Sequence, residues 1–224
     1  MKKIRLILLL FLTLFLVSCG SANIYTETII NKDNISNMKI ILTYDSLIKT
    51  QLGNNIIKDM INPNLEVNSS YNNQNNMYIE EVNFSTDDIN KLLLDSKLKD
   101  YLLFEKHKST SLFKDIYTFD IKFLSDLSSI VDNNLANYLK FIPFTNRVIV
   151  SGKVLSSNSN NIINENTLEW SYTLDQISNN TNLKFQYEEY NIFRIILFAL
   201  ILSILILIVI FFIKKNNEKD KTKN

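Results

Sequence analysis

From Ile195 to Ile213 the chain carries no charged residue, and no other feature restricts its folding as much. As an α-helix at 1.5 Å per residue this run reaches about 28 Å, close to the roughly 30 Å hydrocarbon core of a bilayer. It is apolar on every face, so a helix made from it is either enclosed by protein or crosses a membrane. A chain of 224 residues leaves too small a domain to enclose it. Arg194 stands at one edge, and Lys214, Lys215, Lys219, Lys221 and Lys223 follow the other. By the positive-inside rule the lysine-rich end is cytoplasmic. The expected division is a transmembrane helix over 192–213 and a cytoplasmic basic tail over 214–224.

The N-terminus is the second apolar run. Met1-Lys2-Lys3-Ile4-Arg5 precedes an apolar core from Leu6 to Val17, which ends in Ser18-Cys19-Gly20. A basic start, a short apolar core and a small-residue exit make a signal peptide over 1–18. Leu16-Val17-Ser18-Cys19 resembles the bacterial lipobox, in which the Cys is diacylated and becomes the first residue of the mature chain. The single Cys of the sequence stands at this position. Cys19 is therefore the expected lipidation site, and a diacylglyceryl group there belongs in the outer leaflet. Both ends then place an extracytoplasmic domain, 19–191, on the outer side of the cell membrane. The protein is expected to be lipid-anchored and single-pass, with its C-terminus cytoplasmic and its domain against the bilayer.

The composition of that domain excludes several classes. Three glycines are too few for a phosphate-cradling loop or a dinucleotide fingerprint. One Cys and one His exclude a zinc site of those ligands and an internal disulfide. Residues 20–193 carry 15 basic side chains against 21 acidic ones, a formal charge of −6, so nucleic acid is not an expected partner. Asn-rich clusters at Asn72–Asn76, Asn158–Asn161 and Asn179–Asn182 fall between apolar stretches and read as turns.

Period-two alternation is the strongest local signal. Phe113, Tyr117, Phe119, Ile121 and Phe123 share one parity, with Lys114, Thr118, Asp120 and Lys122 on the other. Leu168, Trp170, Tyr172 and Leu174 form a second set, Val148, Val150, Gly152 and Val154 a third, and Leu183, Phe185 and Tyr187 a fourth. Met38–Tyr44 alternates less cleanly, and Ile24–Ile30 and Met77–Phe84 complete the strands. One polar face and one apolar face predict an antiparallel sheet wet on one side. Three helices are expected between the strands. Ser46 caps one carrying Ile48, Leu52 and Ile56, which Asn62-Pro63 stops. Ser85-Thr86-Asp87-Asp88 opens another, and Ser125-Asp126 opens a third with an apolar stripe from Leu127 to Leu139. The predicted class is α+β: a mostly antiparallel sheet with helices on one face, followed by the single C-terminal transmembrane helix.

Beyond Tyr117-Thr118-Phe119-Asp120-Ile121 the sequence runs through Val148-Ile149-Val150-Ser151-Gly152-Lys153-Val154, a polar loop, and Thr167-Leu168-Glu169-Trp170-Ser171-Tyr172, before Leu183–Tyr190 leads into the apolar run. This order resembles the LppM-like domain of bacterial lipoproteins, which joins a lipobox signal, an α/β ectodomain and a C-terminal transmembrane helix. Ser151 stands where that family has proline, and Asn158-Ser159 where it has Asn-Gly. The resemblance covers about 80 residues. It implies no catalytic residues, and it implies a link to cell-envelope lipids.

Candidate chemistry is sparse. His107, between Lys106 and Lys108, reads as a surface-loop residue. Glu80-Glu81 and Glu188-Glu189 point to opposite strand faces, which makes them poor catalytic dyads. No enzymatic activity and no cofactor or metal is expected. The aromatic residues Phe119, Phe123, Trp170, Tyr172 and Phe185 can line an apolar cavity under the helices, although a packed core is the commoner use of such a face. Tyr187 and Tyr190, next to the span, suit the headgroup level. The function expected is binding of a lipid or other apolar envelope ligand by a membrane-tethered domain. The alternative is a structural or assembly protein docking on another envelope protein. Radiolabelled palmitate should enter the wild-type chain and not a Cys19→Ser variant; label in both, or in neither, would remove the acyl anchor.

Overall fold

The computed structural model describes residues 21–221 apart from 33, 54, 62–63, 95 and 126–139, and for residues 36 and 212–221 it describes the backbone alone. The elements run β1 (Ala22–Asn31), β2 (Asn34–Tyr44), α1 (Ser46–Leu52), α2 (Ile56–Met60), β3 (Val67–Asn72), β4 (Met77–Thr86), α3 (Ile89–Leu93), β5 (Leu102–Thr110), β6 (Lys114–Phe123), β7 (Pro143–Val150), β8 (Lys153–Ser157), β9 (Asn161–Asn164), β10 (Thr167–Thr173), β11 (Asn182–Tyr190) and α4 (Ile192–Lys221). The described chain is α+β, mostly sheet with few helices.

Alternation led to an expectation of one sheet, and there are two. One has seven strands in the order β3-β4-β2-β1-β7-β10-β9, and the other has four in the order β5-β6-β11-β8. The central pair β1–β7 is parallel, while the other pairs are antiparallel. The set Val148–Val154, expected as one strand, splits between them: β7 ends at Val150 in the first sheet and β8 starts at Lys153 in the second. Gly152 makes the crossing possible, because a Cβ there would collide with the carbonyl oxygen of Glu188 on β11.

The two sheets share one core. Val148, Val150, Leu168 and Trp170 of the larger sheet meet Tyr117, Phe119, Phe185 and Tyr187 of the smaller one, all buried. Cross-strand ring pairs add to the area term: Phe119 stacks on Phe185 at 5.2 Å and Tyr117 on Tyr187 at 5.2 Å. The opposite parity of the larger sheet mixes charged residues with Tyr25, Ile29, Ile41, Ile79 and Ile149. Arg147 bonds Glu169 at 2.8 Å, and Lys39 lies 3.1 Å from Glu81.

The helices depart from expectation in detail. Asp45, not Ser46, caps α1, its carboxylate accepting from the N–H groups of Leu47 and Ile48. Gly53, at φ 84°, then breaks the expected single helix into α1 and α2. The residue before α2, Asn55, gives no side-chain cap. Glu80 supplies it from β4: its buried carboxylate accepts from Ile56 N at 3.0 Å, Ile57 N at 2.9 Å and the Tyr44 hydroxyl at 2.6 Å. Asp88 caps α3 from the predicted acidic cluster. The third expected helix, to Leu139, lies outside the described residues, as do Asn62-Pro63, the signal segment 1–18 and Cys19. His107 lies on strand β5 rather than in a loop, exposed at the sheet edge.

α4 joins the domain through a polar knot. The Asn191 backbone N–H donates to the Phe113 carbonyl at 2.8 Å, and its side-chain oxygen accepts from Arg194 N at 3.2 Å. The guanidinium of Arg194 lies 2.9 Å from the carboxylate of Asp115, and Lys108 approaches the same carboxylate at 3.3 Å. Asp115 is buried. Burial pushes its carboxyl up, but the Asn191 amide, the Lys108 ammonium and the Arg194 guanidinium outweigh this and hold it below the usual aspartate value.

Two outcomes follow from this geometry. Gly152→Ala should lower stability by about 2–3 kcal/mol, the range of overpacking against groups that cannot yield, read as a fall in the urea midpoint of Trp170 emission. Asp115→Asn should be less stable than wild type at pH 7. Because the folded carboxyl titrates below its unfolded value, the advantage of wild type persists above about pH 4 and disappears as pH falls through the folded value. Urea titrations of the two chains at several pH values check this, and a difference that stays constant down to acid pH would show that the charge of Asp115 contributes nothing.

Candidate functional site: an apolar cavity between helices and sheets

α1, α2 and α3 sit on the β2–β4 side of the larger sheet and the smaller sheet sits on the β7–β10 side, as the core clusters record. A cavity of about 250 Å³ lies where these coverings meet. Its floor is the inward parity of β1 and β2, with Ile24 opposite Leu42, Thr26 opposite Ile40 and Thr28 opposite Met38. Ile48 and Leu52 of α1 and Ile56 and Ile57 of α2 form one wall, continued by Ile89, Leu92 and Leu93 of α3. Leu102 and Phe104 of β5, Ile121 and Phe123 of β6 and Leu183 of β11 form the facing wall. The lining is almost wholly apolar, aliphatic with four phenylalanines, because every strand presents its apolar parity here. Glu80 sets the wall of α2 by holding that helix's first N–H groups to β4.

The polar groups at the cavity are few. The Thr26 hydroxyl donates to Asn146 Oδ1 at 2.6 Å across the parallel β1–β7 pair, and both residues are buried. Asn146 Nδ2 has no hydrogen-bond partner among the described residues. Thr28 is the third polar side chain on the floor.

Of the five aromatic residues nominated from sequence, the structure puts one, Phe123, on the cavity wall. Phe119, Trp170 and Phe185 belong to the solid core behind it, with Trp170 packed against Phe185 at a centroid distance of 5.9 Å. Tyr172 is half-buried against the same core. The Trp170 indole N–H donates to Asn158 Oδ1 at 3.1 Å, which satisfies its one donor without a ligand. Tyr187, expected at the headgroup level, is fully buried and its hydroxyl donates to the Lys32 carbonyl; Tyr190 is exposed. Sequence reasoning missed the aliphatic wall and the Thr26–Asn146 pair. The available signal was a polar residue at an inward parity position in two apolar strands, Thr26 between Ile24 and Ile30, and Asn146 between Phe144 and Val148.

The cavity and α4 occupy opposite ends of the domain. Leu183 is the β11 residue of the wall, and from there to Tyr190 the strand runs about 24 Å at 3.4 Å per residue. Ala22, the first residue of β1, lines the cavity, whereas Lys32, just past the end of β1, bonds Ser151, which in turn bonds Glu189 beside α4. The chain therefore enters the domain at the cavity end and leaves it at the other. α4 is the one helix among the described residues long and apolar enough to cross a membrane, over Ile192–Phe211, and it packs none of that length inside the domain.

No family model matches the chain, and no curated protein matches it. Among solved structures, the folded domain of LppM from Mycobacterium tuberculosis, determined by NMR, is distantly similar in fold, with a TM-score of 0.45 and 13% sequence identity over 77% of this chain and 92% of that one.

Proposed function

We propose that this protein is a membrane-tethered lipoprotein whose extracytoplasmic domain holds an apolar ligand, an acyl chain or comparable envelope lipid, in the cavity between its helices and sheets. The apolar lining of that cavity carries the reading. At roughly 30 Å³ per water-sized group, about 250 Å³ takes about eight methylenes. Each contributes about 0.8 kcal/mol on burial, or roughly 6 kcal/mol before the cost of association. A single ligand chain is thus retained weakly to moderately and can be released, which suits a carrier or sensor better than a permanent structural lipid. α4 supports the tether, and an acylated Cys19 is part of the same proposal. The site offers apolar contact and a few hydroxyl and amide groups, so binding rather than catalysis is the role proposed.

The test is photolabelling of the full chain in nanodiscs with a diazirine fatty acid, followed by peptide mapping. Label should appear on the β1, β2 and α3 segments that wall the cavity, and a Leu42→Trp variant, which fills it, should lose most of that label while keeping its fold. Label confined to α4, or equal in wild type and the filled variant, would refute ligand binding in the cavity.

A further inference from the structure

The tip of the β5–β6 hairpin, Ser111-Leu112-Phe113, lies beside the first turns of α4 rather than in open solvent. The Phe113 ring meets Phe198 edge-on at 5.1 Å. Phe198 is four residues beyond Arg194, about 6 Å further along the helix axis at 1.5 Å per residue. Arg194 is the last charged side chain before the uncharged run, so its level marks the edge of the apolar layer. The Phe113 ring therefore reaches past that edge to Phe198, while its backbone stays at the level of Asn191, where the helix starts. Leu112, next to it, is 66% exposed.

Backbone that enters lipid must bring its hydrogen bonds with it. The tip does so. The Ser111 carbonyl accepts from the Arg194 guanidinium at 3.0 Å, the Phe113 carbonyl accepts from Asn191 N at 2.8 Å, and the Ser111 N–H donates to the Lys114 carbonyl at 2.8 Å. Charged groups form a collar at the next level up. Lys114 pairs with Glu188 at 2.6 Å and lies 4.8 Å from the Tyr190 ring, while Asp115 holds Arg194. An apolar point whose flanking backbone is tied to the start of α4, under a polar collar, has the profile of a loop seated at the membrane surface.

We infer that the Ser111–Phe113 tip is inserted into the outer leaflet alongside α4, a membrane contact additional to the helix itself. This rests on α4 spanning the bilayer, and the occupant of the surface is lipid rather than another protein. The contact fixes the rotation of the domain about the helix, because Leu112 and Phe113 enter the leaflet on one side of α4.

The chain has one native tryptophan, Trp170, buried in the core, so added tryptophans can be read against a constant background. Full-length Leu112→Trp, Leu202→Trp and Ile162→Trp chains are reconstituted in phosphatidylcholine vesicles with ordinary or brominated acyl chains. Position 112 is exposed and position 162 lies on the exposed edge strand β9, so both substitutions leave the core intact. Brominated lipid should quench most of the emission added at 112, as it does at 202, and aqueous iodide should spare it while quenching 162. Iodide quenching at 112 equal to that at 162 would overturn the insertion while leaving the span in place. Shielding of 112 from both quenchers would also overturn it, by assigning the tip to a protein partner. Absence of lipid quenching at 202 would instead reject the span on which the inference rests.

Discussion

Two sheets can share one core only if the chain passes between them without opening a gap, and Gly152 makes that passage. With no side chain, it lets the turn from β7 into β8 lie against the β11 carbonyl of Glu188. β7 and β8 are then near neighbours in sequence and members of different layers. The stacked rings of Phe119, Phe185, Tyr117 and Tyr187 fill the space this defines. A larger residue at this corner would push the smaller sheet outward and loosen the ring stacks together.

The other half of the large sheet is covered by short helices, and these need outside help. Five-residue helices such as α2 and α3 are too short to persist on backbone hydrogen bonds alone. Glu80 answers this for α2 by supplying a buried acceptor to its first N–H groups, and Asp88 does it locally for α3. The helices bury Ile48, Ile56, Ile57, Ile89 and Leu93 toward the sheet, but being short and separate they do not cover it continuously. The cavity lies in the gap this leaves.

Much of the fold was legible in the sequence where burial is one-sided. β6, β10 and β11 each bury one parity and wet the other, so their alternation is clean. β5 was not legible: its outer half, Lys106-His107-Lys108, is an exposed sheet edge whose charges look like a loop. The division into two sheets was hidden because a strand pattern does not record its partner. The candidate site was harder still. Its walls come from short segments of many elements, each contributing a few apolar residues that are unremarkable in isolation. The aromatic residues were conspicuous in sequence, but rings that meet across strands pack into solid core: Phe119, Trp170 and Phe185 do so, Tyr172 lies half-buried against them, and only Phe123 reaches the site.

The separation of the two chain ends has a bearing on posture. β1 begins beside the cavity and α4 begins at the far side of the domain. Between Cys19 and Ala22 there are two residues, and a fully extended chain covers at most about 3.6 Å per residue. An anchored residue 19 has no slack with which to travel the length of a strand. A leaflet that receives both ends must run alongside the strands, with the domain reclining on it. A leaflet that receives α4 alone meets the strands end-on, with the domain upright. Attachment of a fatty acyl group to one sulfur atom thereby becomes a choice between two stances, and with it the height above the bilayer at which the cavity is carried.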